Sequence, residues 1–271
     1  MSVSIRHNAA SFANANNLGR TQGQLSRTLD RVASGNRITV AADDAAGSAV
    51  SLKLSTAANS TKQAIRNARD GQAIIHTVEA ALTEALDISD RLRELSVQSA
   101  TEVLHEDERE HISTEFASLR NEFERIAETL EFNDQDLGGG QTLDVQVGVE
   151  TSSNSRIELQ LSDLRSHHTG LAILDVSTTI GSQAAITRVD QLISRLNGDR
   201  ARMGALHNRL DSAISNAESS HLSLSAAASR IQDSDMAHES AQMTALQVKQ
   251  QAGTAAMSQA NQLPSSVVNL I

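Results

Sequence analysis

Between about Ser182 and Leu263 the chain repeats apolar residues every three or four positions: Ile186, Val189, Ile193, Leu196, Met203, Leu206, Leu210, Ile214, Ala217, Leu224, Ala228 and Ile231. This period lays one apolar stripe along one helix face. At 1.5 Å per residue an unbroken helix of that length would reach roughly 120 Å, several times the span of a compact domain of this size. Such an element is stabilised only lengthwise, against other helices of the chain and of other chains. The chain's single proline is Pro264, so almost no residue obliges a helix to stop.

Composition decides what fills the space between the helices. Four Phe and no Tyr or Trp in 271 residues deny a wide core its largest side chains and predict thin seams of Leu, Ile, Val and Ala. A formal net charge of −10 is the opposite of the footprint of a phosphate-backbone binder, so nucleic acid is not an expected partner. With no cysteine, thiolate–zinc sites are excluded. The opening residues, Met1 to Asn8, lack the apolar core of a signal peptide, and no stretch approaches 18 consecutive apolar residues. Membrane insertion is not expected, and export would need a route without a cleaved signal.

From about Val3 to Ser34 a first helix is predicted, with Ile5, Ala9, Phe12, Leu18, Leu25, Leu29 and Val32 on its seam. The seam slips by one position between Phe12 and Leu18, and the segment is rich in Ala and Asn, so alone it is marginal. Gly35 is the expected C-terminal cap, through the left-handed conformation. Asp43 and Asp44 precede a second helix, where capping and the helix dipole explain them better than metal or acid–base chemistry; Asp43 is taken as the cap. That helix extends to about Ala100, with Ile74, Val78, Ala81, Ala85, Ile88, Leu92 and Leu95 in four-three alternation. Arg91, Arg93 and Glu94 fall off the seam and read as an exposed charged face with weak intrahelical pairs.

A third helix, about Glu106 to Leu130, has an acidic first turn and a seam of Ile112, Phe116, Leu119, Phe123, Ile126 and Leu130. After Phe132 the period changes to two. Gly138-Gly139-Gly140 reads as a flexible break, and Leu143, Val145, Val147, Val149 and then Ile157, Leu159, Leu161 alternate as two strands of a hairpin. An isolated hairpin is marginal, so this one must lie on the helices. The expected fold is therefore mainly α, a long antiparallel helical bundle or coiled coil with a small β-hairpin.

Candidates for chemistry fail one by one. The triple glycine has neither the strand–loop–helix setting nor the Lys of a phosphate loop. His105 and His111 lack the two-His zinc spacing, because Arg109 stands four residues after His105. His167-His168 reads as a solvated pair in a polar loop. Asn59-Ser60-Thr61 matches a glycosylation acceptor but falls inside a helix. No catalytic constellation and no cofactor site is expected, and the chain is read as a non-enzyme.

Several ordered blocks resemble bacterial flagellin. At the N-terminal end these are Leu29-Asp30-Arg31-Val32-Ala33-Ser34-Gly35 with Arg37-Ile38, Ala42-Asp43-Asp44-Ala45-Ala46-Gly47, Arg66-Asn67-Ala68-Arg69-Asp70-Gly71 and Arg91 to Gln98. At the C-terminal end, Gly204 to Leu210, Ser229 to Asp235 and Gln250 to Thr254 are similar to the family's other signature. The resemblance implies an extracellular filament subunit for swimming motility, exported by the flagellar type III apparatus. It implies terminal helices paired into an inner tube, residues 1–40 and 231–271, with a surrounding layer from 41–181 and 182–230. Only about 131 to 181 separates the two helical regions, so large outer domains are not expected.

Its implied partners are other copies of the chain, an export chaperone, the filament cap and the hook-associated proteins. The resemblance also places an exposed patch, recognised in many flagellins by the Toll-like flagellin receptor of animals, at Arg91, Leu95 and Glu115. Here Asp90 stands where Gln is frequent in that block. Three other readings are weaker: a hook–filament junction protein of the same superfamily, a flagellin-like enzyme with a central protease domain, and a soluble coiled-coil scaffold. The last explains the seams but not the ordered blocks.

Overall fold

The computed structural model describes residues 8–268, so Ile5 and the start of the first seam lie outside the described residues. Among the described residues six α-helices run in the order α1 Ala9–Ser34, α2 Ala45–Ser99, α3 Glu106–Thr129, α4 Leu164–Leu171, α5 Thr179–Gln232 and α6 Met236–Val268. Between α3 and α4 lie four short strands, β1 Glu131–Phe132, β2 Gln135–Asp136, β3 Thr142–Gln146 and β4 Arg156–Gln160. The chain divides into a terminal unit, Met1–Thr56 with Ser223–Ile271, and a central unit, Ala57–Leu222. The mainly helical fold with a small hairpin is the one the periodicity predicts.

The continuous hydrophobic core belongs wholly to the central unit. From α2 it takes Ile75, Val78, Leu82, Ala85, Leu92 and Leu95; from α3 Ile112, Phe116, Phe123 and Ile126; from α5 Val189, Leu196, Met203, Leu206 and Leu210. The α2 seam differs from expectation on one flank. Ile74 and Ile88 are only half-buried, while Ile75, Leu82, Ser89 and Ser96 form a fully enclosed row. Serines hide this row from a count of apolar residues. They tolerate burial because Ser89 Oγ donates to the Ala85 carbonyl at 2.6 Å and Ser96 Oγ to that of Leu92 at 2.7 Å.

The β3–β4 hairpin pairs antiparallel with Leu143 opposite Leu159 and Val145 opposite Ile157. Ile157 and Leu159 turn into the core, so the hairpin is anchored on the helices as its marginal size requires. A second, tight hairpin, β1–β2, turns through Asn133 and Asp134, both at positive φ (51° and 61°). Those are the values a two-residue primed turn needs, and Asn and Asp tolerate them better than most residues. The glycine triplet is packed rather than flexible. Gly138 N–H donates to Asp136 Oδ1 at 2.9 Å, its own carbonyl accepts from Arg165, and Gly140 takes φ 70°.

His167 and His168 are not in a polar loop. They sit on α4, whose N-terminus is capped by Asp163 accepting from Ser166 N–H at 2.9 Å. His167 Nε2 lies 3.1 Å from Oδ2 of the buried Asp199, which also accepts from Ser162 Oγ. His168 Nε2 approaches Glu124 at 3.7 Å. The eight-residue α4 is too short for its period to be read, and its Leu164 and Leu171 are what draw the imidazoles inward.

Candidate assembly surfaces

In the terminal unit α1 and α6 run antiparallel. At one end the Asn8 side chain donates to the Ala260 carbonyl at 2.9 Å; at the other, Arg31 stands 3.6 Å from Glu239. The inward positions step by three and four on both helices: Leu18, Thr21, Leu25, Thr28 and Val32 on α1; Glu239, Met243, Leu246, Gln250, Gly253, Met257 and Ala260 on α6. Half of this seam is polar or small. Among the described residues of this unit only Leu25, Ile38, Ala228, Leu246 and Ala260 are buried apolar side chains.

Phe12 and Leu29, expected on the seam, point outward, Phe12 with 71% of its surface exposed. The true row runs through Thr21 and Thr28 instead, which a search for apolar spacing passes over. Val40, Val50, Leu52, Met236 and Val248 are exposed as well. One apolar face of these helices is therefore turned inward only in part, and a second is left bare.

Both chain breaks of this unit are tied to each other. Gly35, at φ 72°, closes α1 by donating to the Arg31 carbonyl at 2.8 Å, as its expected role as C-cap requires. Its own carbonyl accepts from Ser234 N–H at 2.9 Å, Arg37 N–H donates to the Gln232 carbonyl at 2.6 Å, and the Arg37 guanidinium reaches the Ile231 carbonyl at 2.7 Å. Asp235 then opens α6 by accepting from Ala237 and His238 N–H groups at 2.9 and 3.2 Å. Two sequence blocks nearly two hundred residues apart thus form one hydrogen-bonded corner.

The α2 cap is Asp44, not Asp43. Asp44 Oδ1 accepts from Gly47 N–H at 2.8 Å, whereas Asp43 lies one position too early and instead accepts from the Thr39 N–H and hydroxyl. Burial works against the Asp43 charge, but the donors from Thr39 and Val40, with the positive charge of Arg31, outweigh it and hold the carboxyl below its ordinary value.

Arg91 and Glu115 come together on the central unit. The guanidinium donates to Glu115 Oε1 at 3.1 and 2.7 Å and to Glu94 Oε2 at 2.8 Å. Those two carboxylates, Glu115 first, raise the Arg91 pKa further above its ordinary value. The pairs are thus not only intrahelical, and Arg93 likewise crosses to Asp190 of α5 at 2.6 Å. Leu95 does not share the surface: it is 1% exposed and belongs to the core. Its leucine is demanded by packing in the core of the central unit.

Comparison with known proteins decides the family. The model of the bacterial flagellin N-terminal helical region matches residues 5–141, and that of the C-terminal helical region matches residues 186–271. The chain belongs to the bacterial flagellin family. A flagellin of Halalkalibacterium halodurans is 38% identical over 269 residues, covering 98% of this chain and 99% of that one. Flagellin FlaB2 of Treponema pallidum is 32% identical over 283 residues with the same coverage, and a flagellin of Bacillus subtilis 31% over 303 residues, covering 98% and 99%.

Among solved structures, Bacillus cereus flagellin is similar with TM-score 0.51 at 24% identity, over 56% of this chain and 88% of that one. A putative flagellar hook-associated protein from Vibrio parahaemolyticus is similar with TM-score 0.59 at 14% identity, over 70% and 100%. These likenesses show the fold alone. The flagellin relatives at higher identity separate the two family roles: the chain is a structural subunit of the extracellular flagellar filament. No helix of the described residues is long and apolar enough to cross a membrane.

Proposed function

We propose that this flagellin enters the filament by completing the fold of its terminal unit on neighbouring subunits. One observation carries the reading: α1 and α6 meet along a seam of which half is polar or small, Thr21, Thr28, Gln250 and Gly253 among it, while Phe12, Leu29, Leu52 and Val248 face outward. A two-helix pair with so little apolar burial gains its stability from further partners. In this reading the helices of residues 1–40 and 231–271 line the inner tube, and 41–181 with 182–230 form the layer around it. One head-to-tail contact repeated without closure yields an open helical polymer. Terminal segments that fold last also suit export through a narrow channel by the type III apparatus, with a chaperone covering the C-terminal segment beforehand. The cap and hook-associated proteins would meet the same terminal helices at the ends of the filament.

Arg91 and Glu115 are proposed as the polar centre of a surface used in subunit packing and, where an animal host is met, by the Toll-like flagellin receptor. Removing Arg91 is expected to impair both assembly and receptor signalling; intact assembly with lost signalling would refute the double use.

The test is electron microscopy of purified protein depolymerised by heat and returned to ammonium sulfate, which strengthens apolar burial. Long uniform filaments are expected, with residues 1–40 and those beyond 230 cut by protease in the monomer and protected in the filament. Equal sensitivity in both states would overturn the coupled-folding mechanism. Persistent monomers, or growth only on added hook structures, would favour a junction-type role.

A further inference from the structure

Arg188, Arg195, Arg202 and Arg209 stand seven residues apart along α5. An α-helix drifts by about 20° per seven residues, so the four guanidiniums form one gently twisting row with a repeat of about 10.5 Å. All four residues are exposed. The row borders two clefts of the central unit. Arg188 and Arg195 line one of about 140 Å³ with His167 of α4, and Arg202 and Arg209 line another of about 500 Å³ with Arg156 and Glu158 of β4.

Little within the chain compensates this row. Arg195 and Arg209 have no hydrogen-bond or ion-pair partner among the described residues. Among the described residues Arg188 reaches only Gln191, at 3.5 Å. Arg202 lies 3.4 Å from Asp199, whose carboxylate is already engaged by Ser162 and His167. Apart from Glu158, the clefts present no carboxylate.

The matching charge is on α3. Its 24 residues hold eight carboxylates and three arginines, and Glu108, Glu115 and Glu122 follow the same seven-residue step as the arginines. Their present contacts are at the surface: Glu108 with the His105 N–H, Glu115 with Arg91, Glu122 with Arg125. Exposed pairs of this kind exchange partners at little cost. Copies of a chain with net charge −10 repel one another unless their contact joins surfaces of opposite sign. A head-to-tail polymer joins two different surfaces at every repeat, so a basic row and an acidic row of equal pitch on one chain are what such a contact requires.

We propose that the α5 arginine row of one subunit lies along the Glu108–Glu115–Glu122 row on α3 of a second copy. The inference rests on the chain forming a homopolymer and adds the contact that sets its lateral register.

Two variants test it beside the unaltered chain. R195E/R209E is expected to keep the helicity and melting of the monomer and to raise the critical concentration for polymerisation at least tenfold. R195K/R209K is expected to polymerise; treated with a carbodiimide, its filaments should yield zero-length crosslinks from positions 195 and 209 to the peptide carrying Glu108, Glu115 or Glu122. Monomers should yield none. Unchanged polymerisation of R195E/R209E, or filament-specific crosslinks, absent from monomers, that fall outside α3, would overturn the proposal while leaving the filament reading intact. Should the reversed variant lose its helicity, the crosslinks alone decide. Failure of the unaltered chain to polymerise would remove the filament reading and this contact together.

Discussion

Replacing Gly138, Gly139 and Gly140 by alanine, one at a time, distinguishes a packed junction from a flexible tether. A Cβ on Gly138 would collide with the Ala127 carbonyl oxygen at the end of α3. Backbone cannot rotate aside, so the cost lies at the upper end of overpacking, about 3 kcal/mol. Gly140 sits at φ 70°, and its Cβ would stand 2.6 Å from Cβ of Asp163. The left-handed backbone alone costs an alanine about 1–2 kcal/mol, and displacing Asp163 also weakens the α4 cap, for about 1 kcal/mol more. Gly139 has negative φ and meets nothing closer than Arg165 Nη1 at 3.8 Å. There alanine restricts the unfolded chain and stabilises by about 0.5 kcal/mol. In a unit of this size 1 kcal/mol moves the melting temperature by about 2–4 °C. Far-UV circular dichroism of the monomer should therefore show a fall of about 6–12 °C for Gly138→Ala, about 4–12 °C for Gly140→Ala, and a slight rise for Gly139→Ala. The main transition reports the central unit, where the continuous core lies. Three shifts within about 1 °C of one another would refute the packed junction.

Asp199→Ala leaves the buried Ser162 hydroxyl and His167 imidazole without their shared acceptor, at a cost of about 2 kcal/mol; a melting temperature within about 1 °C of the unaltered chain would sink that account. Phe12→Ser removes a side chain 71% exposed, so monomer stability should change by no more than about 0.5 kcal/mol, while sedimentation should show a higher critical concentration for polymerisation. For Asp43 the sign follows from a folded-state pKa below the ordinary 3.8. Its stabilising contribution is fully present above that value and is lost as pH falls through the folded one. A carboxyl NMR titration should place its midpoint below 3.8, and Asp43→Asn should remove this acid-side component from the Val40–Asp44 turn.

Long periodic helices were legible because their burial is one-sided and repeated many times: α2 and α3 lie within a few residues of the spans that spacing predicts, and α5 begins within a few residues of the predicted start. What escaped was structure held by polar groups. The break between α5 and α6 is made by Asp233-Ser234-Asp235, whose capping residues interrupt a run that apolar spacing reads as continuous. A search for Asp or Ser followed by helix-forming residues would have found it. The β1–β2 hairpin depends on two residues at positive φ, Asn133 and Asp134, with almost no apolar pattern beside them. Of the proposed patch, Arg91 and Glu115 are brought together as their family positions imply, while Leu95 is withdrawn by a core that α3 and α5 complete. The arginine row needed no structure to be seen, only a period of seven applied to charges rather than to apolar residues.

The contrast between the two units has a thermodynamic consequence for the polymer. A central unit with its own core is stable at any subunit concentration, so it can present the α3 and α5 charge rows before any contact forms. The terminal unit, with five buried apolar side chains among its described residues, gains from neighbours by mass action. Contacts present at a hundred times their dissociation constant add about 2.7 kcal/mol, comparable to burying one large apolar side chain such as Phe12. Electrostatic docking of the preformed unit can therefore precede, and orient, the slower apolar closure of α1 and α6. Salt should then act in opposite directions on the two steps: screening the arginine row slows nucleation, while sulfate strengthens burial in α1 and α6. Polymerisation rate should pass through a minimum as ammonium sulfate rises from low concentration, followed by light scattering. In R195E/R209E the initial fall should vanish, because the steering it reflects is gone. A monotonic rise in the unaltered chain would refute this order of events.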